Sequence, residues 1–524
     1  MAAVILDLNG HPIRPEASFG QHVRRSGAHL QGTLVNWANH VVTSRIAERE
    51  KRKIGERAED LYVNSSIAHA VIEGLNIETV GTGLTPTPTP DFEALGRDEA
   101  WSDKYASAIW RLFKAWAFDP RKWCDATRRA SFYQLEVLAY FQWKLHGIGL
   151  FQVRIEPATP LRPSRLSLLP ICPTRLQTPN KKTKAEIYDG VEVDPRTGAV
   201  RAVHIAKKTA SPHLRLVGDT QRVPVWHEQT GLPQVLLVAD VRNIAEYRQD
   251  SILAPVIAEI KNNDDFVEAA LVKAVTQNLI ALYVALQYPD GSTMSPPPAS
   301  GAIDWSERVH EIAKGTIIEG PPGYKPEPVQ NTAPGPGYDV MWRSIISRVG
   351  AATQRGSENI LREYNSSYSA SQASIENADR FADYDRMVLV GTFCQPAWAW
   401  LCYEAVLAGR LPVESRADFL ENLHAYTEAD WLPPPARRID KKKEAEHDQK
   451  RLATNTTTYA DIHGRMGRHW KAALRQRARE LAYMRELEAE FGVDMGGASV
   501  PDAQAAEPKP EPEPQPAQEG TDEA

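Results

Sequence analysis

The sequence predicts a mixed α+β protein that is mainly helical, and two kinds of periodicity indicate this. Apolar residues recur every three or four positions along most of the chain, as on one face of an α-helix. Between residues 150 and 240 they alternate instead with polar neighbours, as in half-buried strands. The chain has 524 residues, 42% of them hydrophobic and 24% charged, which suffices for a globular protein of about three or four domains.

The helical periodicity falls into separate stretches with clear ends. The first stretch, 43–63, places Ile46, Ile54 and Leu61 on one face of a densely charged segment. The second ends near residue 79, where the run VGTGLTPTPTP contains the Gly and Pro residues that stop a helix. The predicted helices cover 43–63, 66–79, 97–118, 131–146, 252–278, 338–354, 373–408 and, in several charged pieces, 440–490.

Three segments carry the β prediction. Phe151, Val153 and Ile155 alternate with polar neighbours and predict a half-buried strand. Residues 185–206 predict a hairpin, because the sequence DPRTG supplies turn-forming residues between two alternating runs. Residues 281–337 are rich in Pro and Gly and predict a small separate module that contains β structure.

Charge is unevenly distributed along the chain. There are 61 basic and 67 acidic residues, and residues 501–524 alone contain seven acidic residues against one basic residue. The rest of the chain is therefore neutral overall, which argues against a protein that coats DNA through a basic excess. The sequence EPKPEPEPQP cannot bury enough apolar area to fold, so residues 496–524 are predicted to form a disordered, acidic, Pro-rich tail.

The sequence lacks the motifs of the common enzyme classes. It contains no P-loop and no GxSxG elbow. Gly81-Thr82-Gly83 lacks the third glycine of a dinucleotide-binding loop, and His227-Glu228 lacks the second histidine of a zinc-protease motif. We therefore predict no catalytic residues, no cofactor and no metal. Packing of the core and of subunit interfaces explains the 13 tryptophans better than stacking on nucleic acid does.

Cysteine usage and hydropathy bear on the cellular setting. The four cysteines are too few for a disulfide framework and no two form a CxxC pair, which indicates a reducing, intracellular setting. The N-terminus lacks the pattern of a signal peptide. The apolar, uncharged runs 387–403 and 274–289 are shorter than the roughly 20 residues that a membrane-spanning helix needs, and we predict no membrane association.

Seven segments resemble those of lambda-type tailed-phage portal proteins and follow one another in that family's order. The resemblance covers roughly 45–490. Two departures, GIG at 147–149 where the family usually has Gly-Glu and SASQ at 369–372 where it has Ser-Ser-Ala-Arg, affect particular contacts rather than the fold. The matching segments are RAEDLYVNSSIAHAVIEGLNIETVGTGL (57–84), WCDATRRASFYQLEVLAYFQWKLHGIGLFQVRI (123–155), GVEVDPRTGAVRAVHI (190–205), YRQDSILAPVIAEIKNNDDFVEAALVKA (247–274), REYNSSYSASQASIENADR (362–380), FCQPAWAWLCYEAVLAGRL (393–411) and IDKKKEAEHDQKRLATNTTTYADIHGRMGRHW (439–470).

This resemblance implies a structural protein rather than an enzyme. It implies a ring, usually dodecameric, at one capsid vertex, through which double-stranded DNA passes during packaging and ejection without regard to its sequence. The implied partners are further copies of the chain, the terminase large subunit that supplies ATP hydrolysis, the major capsid or scaffolding protein, and a head-completion or tail-connector protein. The implied location is the virion, and the host cytoplasm during assembly.

The resemblance also implies a portal fold with wing, stem, clip and crown parts. The residue patterns agree with this division, because two predicted helices bracket the small Pro/Gly-rich module. The expected parts are an N-terminal arm (1–44), the wing (45–250), a first stem helix (251–280), the clip (281–337), a second stem helix (338–354), a tunnel loop (355–372), a helix of the wing and crown (373–430), the crown (431–495) and the acidic tail (496–524).

The tunnel loop is expected to line the narrowest part of the DNA channel. It is polar and lies between two predicted helices, and its two arginines offset its two glutamates. That balance suits sliding, because every phosphate that is held tightly strengthens binding and slows movement. The predicted channel residues are Arg355, Glu358, Asn359, Arg362, Glu363, Asn365, Ser366, Ser367 and Tyr368.

Two other classes of protein are alternatives. An intracellular enzyme with a cleft would need a catalytic motif, and the sequence offers none. A monomeric nucleic-acid-binding protein would need a basic excess, which the neutral body of the chain lacks. An image of the purified protein separates these classes, since only the portal family predicts a ring with a central hole.

Overall fold

The computed structural model describes most of the chain between residues 48 and 493. Predictions for the N-terminal arm, for the acidic tail and for most of the Pro/Gly-rich module lie outside the described residues. The chain divides into two units, Met1–Glu48 and Arg49–Ala524, and the helices and strands below belong to the second unit. The described parts are 48–179, 185–207, 220–242, 244, 246–279, 282–286, 324–328, 337–364, 367–434, 441–466, 468 and 470–493.

The first four helices lie where the sequence predicts them. Ser131 and Gln134 form a reciprocal capping box at the start of the fourth. That helix ends at Gly147, which has a φ of 77°. A Cβ on Gly147 would lie 1.8 Å from the carbonyl oxygen of Gln249, so only glycine fits there. The helices are α1 (Glu48–Asn64), α2 (Ser66–Thr79), α3 (Glu99–Ala117) and α4 (Phe132–His146).

Within the described residues, the strands form four sheets, all with antiparallel pairing. A three-stranded sheet has the order β3-β2-β8 and a four-stranded sheet the order β4-β5-β6-β7; β1 pairs with β11, and β9 with β10. The strands are β1 (Thr85–Pro88), β2 (Gly149–Ile155), β3 (Leu166–Ile171), β4 (Glu186–Tyr188), β5 (Val191–Val193), β6 (Val200–Ala206), β7 (Thr220–Pro224), β8 (Val235–Val238), β9 (Leu282–Leu286), β10 (Tyr324–Pro328) and β11 (Ala429–Leu432).

The predicted hairpin over 185–206 is confirmed. Val191 of β5 pairs with Val203 of β6, and the amide of Asp194 donates to the carbonyl of Ala199 at 2.8 Å to close the turn. Gly198 in that turn has a φ of 71°, a conformation that glycine adopts without strain. Strands β4 and β7 extend the hairpin into the four-stranded sheet.

The strand predicted at 151–155 is confirmed as part of β2, and its alternation of buried and more exposed side chains holds from Phe151 to Arg154. Phe151 packs into a large core with the helices, while the adjacent Leu150 packs into a second core against the four-stranded sheet. Both side chains are fully buried, whereas Gln152 is half-buried and Arg154 and Ile155 are exposed. The three-stranded sheet therefore lies between two cores at the start of β2, where Leu150 precedes the predicted alternation.

The later helices follow the predicted order with two differences. The segment 355–372, predicted as a polar connection, contains the short helix α7, and the next helix begins at Tyr368 rather than near 373. That helix passes through a π-helical turn, Val390–Cys394, directly before Pro396. The helices are α5 (Ile257–Leu279), α6 (Tyr338–Ala352), α7 (Ser357–Leu361), α8 (Tyr368–Leu389), α9 (Gln395–Leu407), α10 (Arg416–Glu421), α11 (Leu423–Thr427), α12 (Lys441–Ala453), α13 (Tyr459–Arg465) and α14 (Trp470–Phe491).

Tryptophans supply much of the large core, as predicted. Trp116 and Trp398 are buried and pack around Phe113. The indole of Trp116 also donates to the carbonyl of Leu166 at 2.9 Å, so that its single polar atom is satisfied. Trp226 differs, because about half of its side chain is exposed.

The buried ring of His146 gives stability a pH dependence. Burial, reinforced by the charge of Arg248, lowers the pKa of His146 to about 4. The pKa of an unfolded histidine is about 6.5, so between these values the unfolded chain binds a proton that the folded chain excludes. The stability that depends on this group is fully present above about pH 6.5 and is lost as the pH falls, at up to about 1.4 kcal/mol per pH unit.

We expect His146→Gln to reduce this loss. Between pH 7.5 and 5, the free energy of unfolding should fall about 2 kcal/mol less in His146→Gln than in the unmodified chain, measured by urea unfolding. His69→Gln, at an exposed histidine of α2, is the matched control and should follow the unmodified chain. If His146→Gln and the unmodified chain lose equal stability, His146 does not carry the pH dependence.

Candidate functional site

The segment that joins α6 to α8 places the predicted channel residues in two different environments. Arg355 and Asn359 are buried, so in this conformation neither side chain lies on the surface. Glu358 is half-buried, whereas Arg362, Glu363 and Ser367 are exposed. Asn365 and Ser366 lie outside the described residues, as does the side chain of Tyr368. The structure therefore offers one arginine, rather than two, to balance the glutamates of this segment.

Arg355 is held by the end of helix α2. Its Nη2 lies 2.7 Å from Oε1 of Glu78, and its Nη1 donates to the carbonyl of Ala70 at 2.7 Å. Nη2 also donates to the carbonyl of Asn359 at 3.1 Å, so the same guanidinium contacts helix α7 as well. Because both charged side chains are buried, this ion pair is screened little by solvent, and its geometry fixes the segment against α2.

Gly74 of α2 makes the space for this guanidinium. A Cβ built on Gly74 would lie 1.3 Å from Nη1 of Arg355 and 1.9 Å from its Cζ. Gly350 of α6 is similarly restricted, because a Cβ there would lie 2.5 Å from the carbonyl oxygen of Arg355. Two glycines on two helices thus allow the chain to bring Arg355 into the interior.

The C-terminal end of α2 also binds helices α4 and α8. Arg386 of α8 donates to the carbonyls of Glu78 and Thr79, which satisfies two of the acceptors that a helix end leaves free. The hydroxyl of Thr79 donates to the hydroxyl of Tyr140 at 3.1 Å, and Tyr140 donates in turn to Asp385 of α8 at 2.6 Å. We call this set of contacts around Glu78 and Thr79 the α2 junction.

A second buried ion pair completes the α2 junction. Nζ of Lys144 lies 2.8 Å from Oδ1 of Asp385, and the same ammonium lies 4.0 Å from the ring centroid of Trp143. Burial lowers the pKa of Lys144, and the adjacent Asp385 opposes that shift. Burial, with the charge of Asp385, raises the pKa of Tyr140 well above its usual value, so Tyr140 remains a donor. The junction is a fixed framework beneath the exposed residues of the segment.

Helices α5 and α6 form an antiparallel pair above this framework. Arg348, near the end of α6, forms an ion pair with Glu259 at the start of α5. Phe266 stacks on Tyr338 at the start of α6, with ring centroids 5.3 Å apart. The chain thus leaves along α5 and returns along α6, and β9 and β10 pair in the segment between them.

A comparison with protein families decides what this chain is. The family model described as "Phage portal protein, lambda family" matches residues 33–386. The chain belongs to the lambda family of phage portal proteins. The matched region includes the α2 junction, the α5/α6 pair and the segment with the predicted channel residues, so these features of the portal protein lie in the family's shared region.

Three solved structures are remotely similar to this portal protein, each at 12% sequence identity. The first is a chain titled "Neck of native GTA particle computed with C12 symmetry", with a TM-score of 0.41, covering 78% of this chain and 90% of that chain. The second is from "Virion of native gene transfer agent (GTA) particle", with a TM-score of 0.41 and coverages of 80% and 94%. The third, "Neck of empty GTA particle computed with C6 symmetry", has a TM-score of 0.37 and the same coverages as the second.

Sequence reasoning missed the partners of Arg355 in this portal protein. Glu78 and Gly74 lie about 280 residues away in the chain, and no local pattern joins them to Arg355. A signal was present, however, because Gly74 stands within a predicted helix, where glycine is unfavourable without a packing reason.

Two kinds of feature, a metal-binding cluster and a membrane-spanning helix, are absent from the described residues. Within them, no group of three or more His, Cys, Asp or Glu side chains is arranged to hold a metal ion. Among the same residues, no helix combines the length and the apolar character that crossing a membrane requires.

Proposed function

We propose that this portal protein assembles into a closed ring at one capsid vertex and that double-stranded DNA passes through the ring's channel during packaging and ejection. Family membership over residues 33–386 is the observation that carries this proposal. It favours a structural role over a catalytic one. The terminase large subunit, the major capsid or scaffolding protein and a head-completion or tail-connector protein are the proposed partners.

Exposed apolar side chains on the α5/α6 pair support ring assembly. Leu271, Val272 and Val275 of α5 are each more than half exposed, as are Val340 and Met341 of α6. In an isolated chain these side chains would face water, at a cost of about 25 cal/mol per Å² of apolar surface. Neighbouring copies that cover them would remove this cost, and a head-to-tail contact repeated around an axis closes into a ring.

The antiparallel geometry of α5 and α6 supports their proposed role as the stem. The clip, 281–337, would then project from the far ends of both helices and would meet terminase during packaging and the head-completion protein afterwards. Residues 45–250 would form the wing, 373–430 a helix of the wing and crown, and 431–495, which include α12 to α14, the crown. In the tunnel loop, Arg362, Glu363 and Ser367 are the proposed contacts with DNA, because the structure exposes them.

Introducing negative charges on the exposed apolar face of α5 tests the proposed ring. We expect Leu271→Asp with Val275→Asp to convert rings into monomers, because each neighbour contact would bury carboxylates without partners. Native mass spectrometry and negative-stain images would give the subunit number. Val241→Asp with Ile244→Asp is the matched control, since both residues are highly exposed but lie outside the α5/α6 pair.

One result would overturn the ring proposal, and a second would overturn the role proposed for the α5 face. One is a monomer as the main species of the unmodified chain over a wide concentration range. The other is a Leu271→Asp/Val275→Asp variant that forms rings as completely as the control variant does. In the second case the apolar face of α5 does not meet a neighbouring subunit.

A further inference from the structure

A tryptophan in contact with two arginines forms a basic site far from the α5/α6 pair in the chain. The guanidinium carbon of Arg128 lies 3.9 Å from the ring centroid of Trp123, and that of Arg162 lies 4.5 Å from it. Both distances are those of close cation–π contacts. We call Trp123, Arg128 and Arg162 the Arg–Trp stack.

The loop that carries Trp123 is rigidly built. The buried carboxylate of Asp125 accepts hydrogen bonds from the amides of Thr127, Arg129 and Ala130, at 2.8, 2.9 and 2.9 Å. Arg128 has a φ of 58°, in the left-handed region that non-glycine residues rarely adopt. The backbone around Asp125 thus holds Arg128 in a strained conformation that places its side chain on Trp123.

The loop that carries Arg162 is fixed independently from the other side. The buried carboxylate of Glu404, on α9, accepts from the hydroxyl of Ser164 at 2.7 Å and from the amide of Arg165 at 3.2 Å. Arg410 donates to the carbonyl of Pro163. Two separately anchored loops therefore present the Arg–Trp stack, which makes it a preformed site rather than a chance contact of mobile side chains.

Within the described residues, the arginines of the Arg–Trp stack have no ion-pair partner, and two of its N–H donors have no acceptor. Among those residues, neither Arg128 nor Arg162 forms an ion pair, whereas the nearby Arg121 is paired with Asp119 at 2.8 Å. Nη1 of Arg162 and Nε1 of Trp123 are shielded from solvent and have no hydrogen-bond acceptor within the described structure. Two arginines without an ion pair in the described part of the chain, beside these two N–H donors, point to an anionic ligand with acceptor oxygens.

We propose that the Arg–Trp stack binds the acidic, Pro-rich segment 501–524 of this chain, from the same or a neighbouring subunit. Five glutamates in that segment supply carboxylates that match unpaired guanidinium groups in charge and geometry. Arg128 is exposed and Trp123 and Arg162 are half-buried, so a carboxylate on a narrow extended peptide can approach the guanidinium groups, whereas a DNA duplex presents its phosphates on a wide rod. The proposal does not depend on the proposed ring.

The length of the intervening chain permits this contact. Lys471, at the start of α14, forms an ion pair with Asp103 of α3 at 3.0 Å. The distance from Phe491 to the end of α3 cannot exceed the path along α14 to Lys471, across the ion pair to Asp103 and along α3 to Ala117. At 1.5 Å per residue, this path is roughly 50–60 Å long. Fully extended, the roughly 30 residues that follow α14 reach about 100 Å. The segment can therefore meet the stack on its own subunit.

A binding measurement on the full chain tests this proposal. In the receptor, Glu507, Glu511, Glu513, Glu519 and Glu523 are replaced by Gln, so that its own segment no longer competes. Binding of a fluorescein-labelled 501–524 peptide is followed by anisotropy. We expect this receptor to bind the peptide at least about tenfold more tightly than the unmodified chain does, because a tethered segment acts at a high effective concentration.

Substitutions in the stack locate the binding. Trp123→Phe keeps an aromatic ring but removes the Nε1–H donor and weakens the cation–π contacts with both guanidinium groups, and we expect it to weaken peptide binding about tenfold. Arg162→Ala should weaken binding at least as much. Arg111→Ala, at an exposed arginine of α3 whose Nε donates to the carbonyl of Ser107 in the same helix, should leave binding unchanged.

Three results would overturn the proposal. The first is no measurable binding of the peptide to the receptor. The second is an equal affinity of Trp123→Phe and Arg111→Ala for the peptide; Trp123→Phe decides the question if Arg162→Ala fails to fold. The third is a 16-base-pair duplex that binds more tightly than the peptide and loses affinity on Trp123→Phe, which would assign the stack to DNA.

Discussion

Replacing Gly74 with alanine should destabilise the protein by about 3–5 kcal/mol, the usual cost of breaking a buried ion pair. The new methyl group would occupy the position of the Arg355 guanidinium, which would have to leave Glu78. Arg355 also donates to the carbonyls of Ala70 and Asn359, so its displacement costs those hydrogen bonds as well. Glu78 would remain as a buried carboxylate without its cation.

Gly55 provides a matched control for this experiment. It lies in helix α1, and a Cβ built there would meet no atom within 4 Å. Gly55→Ala should therefore stabilise the protein by roughly 0.5–1 kcal/mol, because alanine favours the helix. Urea unfolding of both variants measures the difference. If Gly74→Ala is as stable as the unmodified chain, Arg355 can find another position and the α2 junction does not depend on it.

Reversing the charge of Glu363 should strengthen the binding of DNA and slow its packaging. Glu363 is exposed, and it lies 3.4 Å from Arg343 of α6. Under the proposed function, Glu363→Lys would add a cation to each subunit of the channel and leave the ring intact. Each additional phosphate that is neutralised steepens the salt dependence of binding by about 0.9 in the log–log slope, so a ring of many subunits would bind DNA orders of magnitude more tightly and package it more slowly.

The control for this prediction makes the same charge change elsewhere. Glu59 is exposed on α1, outside the proposed tunnel loop. Rings of Glu59→Lys should show the salt slope and the packaging rate of the unmodified protein. If rings of Glu363→Lys and Glu59→Lys behave alike in both measurements, the exposed part of the segment 355–372 does not meet DNA.

Local sequence patterns predicted the helices well because their ends carry their own signals. Helix α4 begins where Ser131 can cap it and ends at Gly147, and both residues act through neighbours within a few positions. The same holds for the hairpin of β5 and β6, whose turn is specified by the residues between the strands. Such signals are visible without knowledge of the rest of the fold.

The candidate site was harder to predict because its decisive contacts join distant parts of the chain. A charged residue in a polar segment is normally at the surface, and that expectation placed Arg355 in the channel. Its burial depends on Glu78 and on the space beside Gly74, which only the folded chain brings together. Arg362 and Glu363 lie at the surface, as expected for charged residues in a polar segment.

The two cores that share strand β2 have a consequence for how the protein unfolds. A slip of β2 by a single residue would exchange Leu150 and Phe151 and would spoil the packing on both sides of the sheet at once. The helical part and the β part therefore cannot loosen independently at this strand. They should melt as one cooperative unit, and β2 should contain the backbone amides that exchange most slowly with solvent.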